Sequence, residues 1–373
     1  MLYWFFVGPA LLLAFLSLRG ERKRAGYVAA RLAEEPPPEA LPPATLIVPV
    51  KGGDYRLREN LAALASQDYP DFELLVVAHS AADLPPGVLP PRARVVLAHG
   101  ADPHTGEKVQ NLSAAVAAAR RRTEILAFAD SDGCPGPRWL RALVAPLAEP
   151  GVGAATGFRW FAPVPPTFWT LLRSVWDAVA GGRLGPGDCP FAWGGAMALR
   201  KEIFVQAAVA QSWKNTISDD YALSAAIHAA GLRIAFAPGA LVPSAEPITA
   251  AGFFAWARRQ MCITRAYRPR LWWSALAAHV FYCGGMTASV VAALGGSRLA
   301  EWALVAQLSP GMLKGLNRAT LAKASLPQCE DWFRRHQWVH AMWVPLATWV
   351  WLAALLSSAL GRTVEWRGYR YRL

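Results

Sequence analysis

The chain has 373 residues, a net charge of +12, 54% hydrophobic residues and only 17% charged ones. A soluble enzyme carries about a quarter charged residues, so a surface exposed to water throughout is excluded. The length allows one large domain plus appendages.

The first apolar run is MLYWFFVGPALLLAFLSL, residues 1–18. Crossing a bilayer takes roughly 20 apolar residues, and about 17 at the least, so this run qualifies as a transmembrane anchor. It lacks the basic start and small-residue cleavage site of a signal peptide. A basic cluster, Arg19 to Arg24, follows it. By the positive-inside rule this puts the N-terminus outside and the bulk of the chain in the cytoplasm. Residues 19–43 read as a basic and proline-rich linker, stiff and extended from Glu34 to Pro43.

From Ala44 strands alternate with helices. ATLIVPV reads as a short buried strand, FELLVVA, ARVVLA and EILAFA as further strands, and LRENLAALASQ and VQNLSAAVAAARRR as helices. That alternation implies a parallel, doubly wound sheet of Rossmann-like α/β type. Ligands of such sheets bind beyond the carboxyl ends of the strands. Val50-Lys51-Gly52, Ala78-His79-Ser80 and Asp130-Ser131-Asp132 stand at those ends. Beyond residue 150 the alternation weakens. PFAWGGAMALRKEIF opens on paired glycines and turns helical, and ISDDYALSAAIHAAGLRIAFAP reads as loop, helix and strand. The catalytic domain is thus bounded at 44–250. Residues 251–270, basic and aromatic, suit an amphipathic helix lying in the membrane interface with its arginines snorkelling.

Residues 271–361 form the transmembrane region. Two charge-free runs, 271–297 and 336–361, give spans at about 271–296 and 338–361. A segment at about 300–323, shorter in its apolar part and interrupted by Pro310, reads as a re-entrant piece or an additional span. Three spans return the basic tail, 362–373, to the cytoplasm. The reading is an integral protein of a bacterial inner (cytoplasmic) membrane. Much of the basic excess clusters beside membrane segments, which fits anionic headgroups or an anionic substrate and argues against nucleic acid. The five cysteines, at 134, 189, 262, 283 and 329, are too scattered for a zinc site and read as reduced structural thiols.

Four constellations carry chemistry. Asp130 and Asp132 leave a buried strand together, where they could hold a hard cation; solvated loop acids are the plain alternative. Asp219 and Asp220 open a helix. One acid suffices for capping and the dipole, and a second like charge raises a pKa, as a general base requires. Lys108 and Asn111 also open a helix, a place that attracts phosphate. Gly194 and Gly195 serve either a tight turn or close approach to a ligand.

The ordered series LIVPVKGGDYRLRENL, GEKVQNL, FADSDG, WGGAMALRKEIF, SDDYALSAAI and WARRQMCITRAYRP, with the C-terminal VEWRGYRYRL, resembles the family 2 and family 21 glycosyltransferases, and most closely the ceramide glucosyltransferase-like group. The resemblance implies a GT-A-type mixed sheet with transmembrane helices at both ends. It implies inverting transfer of a hexose such as glucose from a UDP-sugar to a lipid hydroxyl, such as that of ceramide, in glycolipid (sphingolipid) synthesis. Asp132 would be the main ligand of Mg²⁺ or Mn²⁺ with Asp130 nearer the ribose or a second metal contact, Asp220 the base beside Asp219, and Lys108 with Asn111 a phosphate site. Pro49, Val50 and Lys51 would wall the uracil, and Arg259, kept from a Gln-x-x-Arg-Trp pattern, would meet the diphosphate. Two positions depart from the pattern. Gln260 replaces the aromatic, and His79-Ser80 replaces an acid that Asp83 could supply. Two rival readings are a processive polysaccharide synthase, which few spans and Gln260 disfavour, and a catalytically silent nucleotide-sugar- or lipid-binding scaffold.

Overall fold

A computed structural model describes residues 2–34, 41–100 and 102–373. In chain order the elements are α1 (Leu2–Ala33), β1 (Ala44–Pro49), α2 (Leu57–Ala65), β2 (Phe72–Ala78), β3 (Ala93–Leu97), α3 (Glu107–Ala118), β4 (Ile125–Ala129), α4 (Trp139–Val144) and β5 (Val152–Phe161). There follow α5 (Phe168–Gly181), β6 (Ala196–Arg200), α6 (Lys201–Gln206), α7 (Val209–Ser212), α8 (Asp219–Ala229), β7 (Arg233–Ser244) and α9 (Ala250–Tyr267). The C-terminal part holds α10 (Pro269–Leu294), α11 (Arg298–Ser325), α12 (Glu330–His336), α13 (Val339–Met342), α14 (Val344–Ala359) and a hairpin of β8 (Thr363–Trp366) and β9 (Tyr369–Arg372).

The apolar runs that read as strands join one sheet, buried except at its half-exposed edge strand β3. Seven strands make a sheet in the order β3-β2-β1-β4-β6-β5-β7. β1 pairs in parallel with both β2 and β4, and all of β2 and β4 is buried. This is the expected doubly wound mixed α/β sheet. Its winding reverses between β1 and β4, and the crevice at that reversal is where such sheets bind ligands. The stretch expected to turn helical after its glycines first forms β6. It runs antiparallel between β4 and β5, Ile125 against Arg200 and Ala129 against Ala196. Its small apolar residues carry little intrinsic strand preference, so tertiary pairing decides the outcome.

The N-terminal helix does not stop at residue 18 but continues through the basic cluster to Ala33. Arg24 turns inward there, its Nε donating to the Leu184 carbonyl at 2.8 Å. The extended linker expected at 34–43 falls mostly on residues 35–40, outside the described residues.

Among the described residues, two helices are long and apolar enough to cross a bilayer, Tyr3–Ala33 and Pro269–Leu294. The region at 300–323 forms continuous helix. It lies within the 28-residue α11, which runs through Pro310. Its polar residues face α1: Lys314 Nζ donates to Ser17 Oγ at 2.6 Å, and Asn317 and Arg318 meet Glu21 at 2.8 and 3.1 Å. Its other face exposes Leu299, Trp302 and Val305, and α1 and α10 likewise expose Phe15, Leu16, Val291 and Leu294. The expected span at 338–361 is broken into α13 and the 16-residue α14, about 24 Å long and short of a ~30 Å hydrocarbon core. It returns toward the sheet: near its end Ser358 Oγ accepts from Trp272 Nε1 in the first turn of α10 at 2.9 Å.

Candidate active site

A cavity of about 530 Å³ opens at the crevice between β1 and β4. It is walled by the starts of α3 and α8, by α5 and α9, and by the C-terminal hairpin. Of the residues singled out in the sequence, Pro49, Val50, Lys51, Lys108, Asn111, Asp130, Asp132, Gly194, Asp219, Asp220 and Arg259 line it. Ser80 and Asp83 do not. Both the Ser80 amide and its hydroxyl donate to Asp83 Oδ2 at 3.0 Å, capping a short 3₁₀ turn, so Asp83 is spent on local structure.

β4 ends in Asp130, whose Oδ1 accepts from Lys108 Nζ at 2.8 Å. Burial raises that carboxyl, but the ammonium of Lys108, with Arg159 and Arg367 behind it, holds it below its ordinary value. Lys108 also reaches Asp219 Oδ1 at 3.3 Å, so one cation joins the end of β4 to the start of α8. Asp132 pairs with Arg159 at 3.1 Å and keeps Oδ1 buried without a partner. Burial, reinforced by Asp130, Glu246 and Asp54 and opposed by Arg159, pushes it up to about 6.

Ser218 caps α8, its hydroxyl accepting from the Tyr221 amide. Asp219 is the acid whose pKa rises. It is 3% exposed, its Oδ2 has no partner, and burial with Asp220 and Asp130 pushes it up to about 6 against Lys108. Asp220 is half-buried and, like Asp219, lines the cavity. Its Oδ1 takes the Ser218 hydroxyl and the Tyr221 amide, and Oδ2 faces the Gly194 amide at 3.4 Å. A carboxylate has about four lone-pair sites, so Oδ2 keeps room for a substrate hydroxyl.

Of the two readings of Gly194-Gly195, the structure describes the turn. The pair forms a turn closed by the Ala196 amide on the Trp193 carbonyl at 3.0 Å. A Cβ at Gly194 would stand 2.6 Å from Asp219 Oδ2, and one at Gly195 2.3 Å from the Trp193 ring and 2.6 Å from Asp130 Oδ2. Gly195→Ala is therefore expected to displace the Trp193 ring and the Asp130 carboxylate and lower turnover by about 10²-fold, with the melting temperature as the control for folding.

Several lining residues escaped the sequence reading. Arg159 and Asp177 are lone charges inside apolar elements, FRWF and SVWDAV. Such a charge is itself a signal. The C-terminal hairpin also roofs the cavity. At its turn Arg367 takes a left-handed φ of 47° ahead of Gly368 at 84°. From there it donates to the Lys51 carbonyl at 2.6 Å and to Asp54 Oδ1 at 2.5 Å. Lys51 pairs with Glu107 at 2.6 Å beneath the Tyr369 ring. The tail thus lies against the end of β1 and the loop after it. Arg259 faces the Trp366 ring, and burial with the nearby Arg159 and Arg367 lowers it to about 10.

The residues suit a divalent cation. Asp132 Oδ1 is a buried carboxylate oxygen without a partner beside Asp130, and such hard ligands are what Mg²⁺ and Mn²⁺ take. No group of three or more His, Cys, Asp or Glu residues stands together among the described residues, so the remaining ligands would come from substrate and water.

Comparison with known proteins adds a family. The model described as Glycosyl transferase family 21 matches residues 3–373. No match was found among curated proteins. Among solved structures, the chain is similar to a mannosyltransferase from Pyrobaculum calidifontis in complex with GDP-Man and Mn²⁺. That similarity is 19% identity at TM-score 0.48, over 95% of this chain and 98% of that one. It is also similar to glucosyl-3-phosphoglycerate synthase from Mycobacterium tuberculosis in complex with Mn²⁺, UDP and phosphoglyceric acid, at 18% identity and TM-score 0.39, over 65% and 82%.

Proposed function

The chain belongs to glycosyltransferase family 21, and from that premise we propose that it transfers a hexose such as glucose from a UDP-sugar to a hydroxyl of a membrane lipid such as ceramide, inverting the anomeric carbon. The observation that carries this reading is the cavity itself. One end holds the carboxylates and Lys108 at the strand ends, and the other is lined by Trp176, Trp256 and Trp351 on the helices that lead into the apolar region.

The donor sits at the crevice, its base beside Pro49 and Val50 and its diphosphate toward Lys108, Arg259 and Arg367. Asp132 and Asp130 would hold the divalent cation, which when bound neutralises charge on the departing diphosphate. Asp220 Oδ2 takes the proton from the acceptor hydroxyl, while Asp219 fixes Lys108 behind it. A single displacement on the face opposite the leaving group inverts the carbon.

The two long apolar helices α1 and α10 cross the bilayer, and α11, whose polar residues face α1, carries the chain back beside them. α14 enters and leaves on the cytoplasmic side and brings Trp351 to the cavity, so a lipid hydroxyl reaches the base without leaving the interface.

Arg367 adds a fork-shaped donor that can pass from Asp54 to the diphosphate. Arg367→Gln is expected to raise the UDP-sugar KM by about tenfold with a smaller change in acceptor KM, measured by initial rates. The proposed activity itself is tested by mass spectrometry of lipids from cells with and without the protein. A lipid heavier by one hexose in the first sample supports it, and identical lipid profiles would sink it.

A further inference from the structure

The C-terminal hairpin is too small to hold its own position. Its strands have four residues each, and a lone two-stranded hairpin is marginal at best in water. Its buried apolar anchor is Val364, 2% exposed and packed with Ile217 and Cys262. Its other contacts toward the cavity are polar and fall at the donor end. The Tyr371 hydroxyl accepts from the Glu107 amide at 3.5 Å, and Lys51 Nζ lies 4.2 Å from the centre of the Tyr369 ring.

Asp54 is the junction of this arrangement. Its Oδ1 takes Arg367 at 2.5 Å, and its Oδ2 takes the Ser131 hydroxyl. Ser131 stands between Asp130 and Asp132, and its carbonyl takes Asn60 Nδ2 at 2.9 Å. One carboxylate therefore joins the tail to the loop of the two aspartates. The turn residue points the same way. Arg367 and Gly368 both have left-handed φ, 47° and 84°, as a type I′ turn requires, and Asn or Asp is the usual first residue there. An arginine is strained at that position, so its side chain rather than the turn accounts for it. Burial opposes the charge of Arg367, but Asp54, with Asp132 and Asp130 beyond, holds it above its ordinary value. A guanidinium fork suits a carboxylate and a phosphate equally, and a diphosphate at this end of the cavity is a second anionic partner for it.

We propose that the hairpin, residues 363–372, is a movable strap over the donor, held shut by Asp54 on the empty site and by the diphosphate on the loaded one, with Arg367 exchanging between them. The strap rests on the UDP-sugar reading above and adds to that site a wall that opens. Asp54 is a positioning residue: it acts on the donor only through Arg367.

Trypsin reads the open form, because cleavage of a segment that undocks rapidly tracks how much of it is undocked. The full-length protein in detergent is digested with and without UDP and Mn²⁺. Cleavage after Arg370, a site every variant keeps, is followed by intact mass, and UDP binding is measured by equilibrium dialysis. In the wild type, UDP with Mn²⁺ is expected to slow this cleavage by about tenfold or more, and by linkage Arg367→Gln is expected to bind UDP more weakly by the same factor. Empty Asp54→Asn is expected to be cleaved about tenfold faster than the empty wild type, and UDP with Mn²⁺ to restore its protection. Arg367→Gln is expected to be cleaved faster in both conditions and to gain about twofold protection at most. A variant that has lost its fold is cut within the sheet domain too, and the other variant then decides. UDP that binds the wild type without slowing cleavage overturns the strap alone. So does empty Asp54→Asn cleaved at the wild-type rate, or Arg367→Gln protected by UDP as well as the wild type. Absence of UDP binding by the wild type overturns the UDP-sugar reading and the strap with it.

Discussion

Asp220→Asn is expected to lower kcat by about 10³-fold while the KM for UDP-sugar stays within about twofold. General base catalysis contributes typically about 10²–10⁴-fold, and 10³-fold is about 4 kcal/mol of barrier. The substitution keeps size and shape. Asparagine can still accept from the Tyr221 amide, as Asp220 Oδ1 does at 2.7 Å, so α8 keeps its start. What disappears is the basic oxygen facing the cavity. Asp219→Asn should behave differently. It removes the carboxylate 3.3 Å from Lys108, so the donor KM should rise along with a fall in kcat. Initial rates against both substrates separate the two. If transfer survives in Asp220→Asn and is lost in Asp219→Asn with donor KM unchanged, the base is Asp219.

Chelation with EDTA is expected to abolish transfer, and Asp132→Asn to reduce it by about 10²–10³-fold at any Mn²⁺ concentration that saturates the wild type. The loss of charge stabilisation at a developing anion is of this order. Asp132 has one oxygen on Arg159 and one without a partner. Asparagine would leave Arg159 in place and remove the charge that draws a cation. Titration of Mn²⁺ by electron paramagnetic resonance, with UDP present, measures the affinity independently of turnover. Tight Mn²⁺ binding by Asp132→Asn would remove Asp132 as the ligand.

Elements that declare themselves locally were legible in the sequence. β1, β2 and β4 are continuous apolar runs because helices cover both faces of a parallel sheet, and their carboxyl ends carry Lys51 and Asp130. Lys108 and the Asp219-Asp220 pair stand at helix starts, where charge has a recognisable meaning. Features that depend on distant partners were not legible. β6 is a strand because β4 and β5 flank it, and no property of AMALR says so. Arg159, Asp177 and Asp54 acquire roles only when β5, α5 and the β1–α2 loop meet. The hairpin's tyrosines and Arg367 read as a basic tail until the fold returns them to Lys51, more than 300 residues away in sequence. The membrane region also depends on packing that composition does not show: the apolar run at 338–361 holds α13 and the 16-residue α14, and α11 packs Lys314 and Arg318 against α1 while exposing Leu299, Trp302 and Val305.

The most direct measurement is one-to-one stoichiometry. The purified protein in lipid vesicles is given a UDP-hexose and the total lipid of a membrane, and UDP release and lipid-bound hexose are followed together with and without Mn²⁺. The account predicts equal amounts of both, rising only with the cation and absent in Asp220→Asn. UDP release without lipid-bound sugar, or a yield unchanged by EDTA, would contradict it.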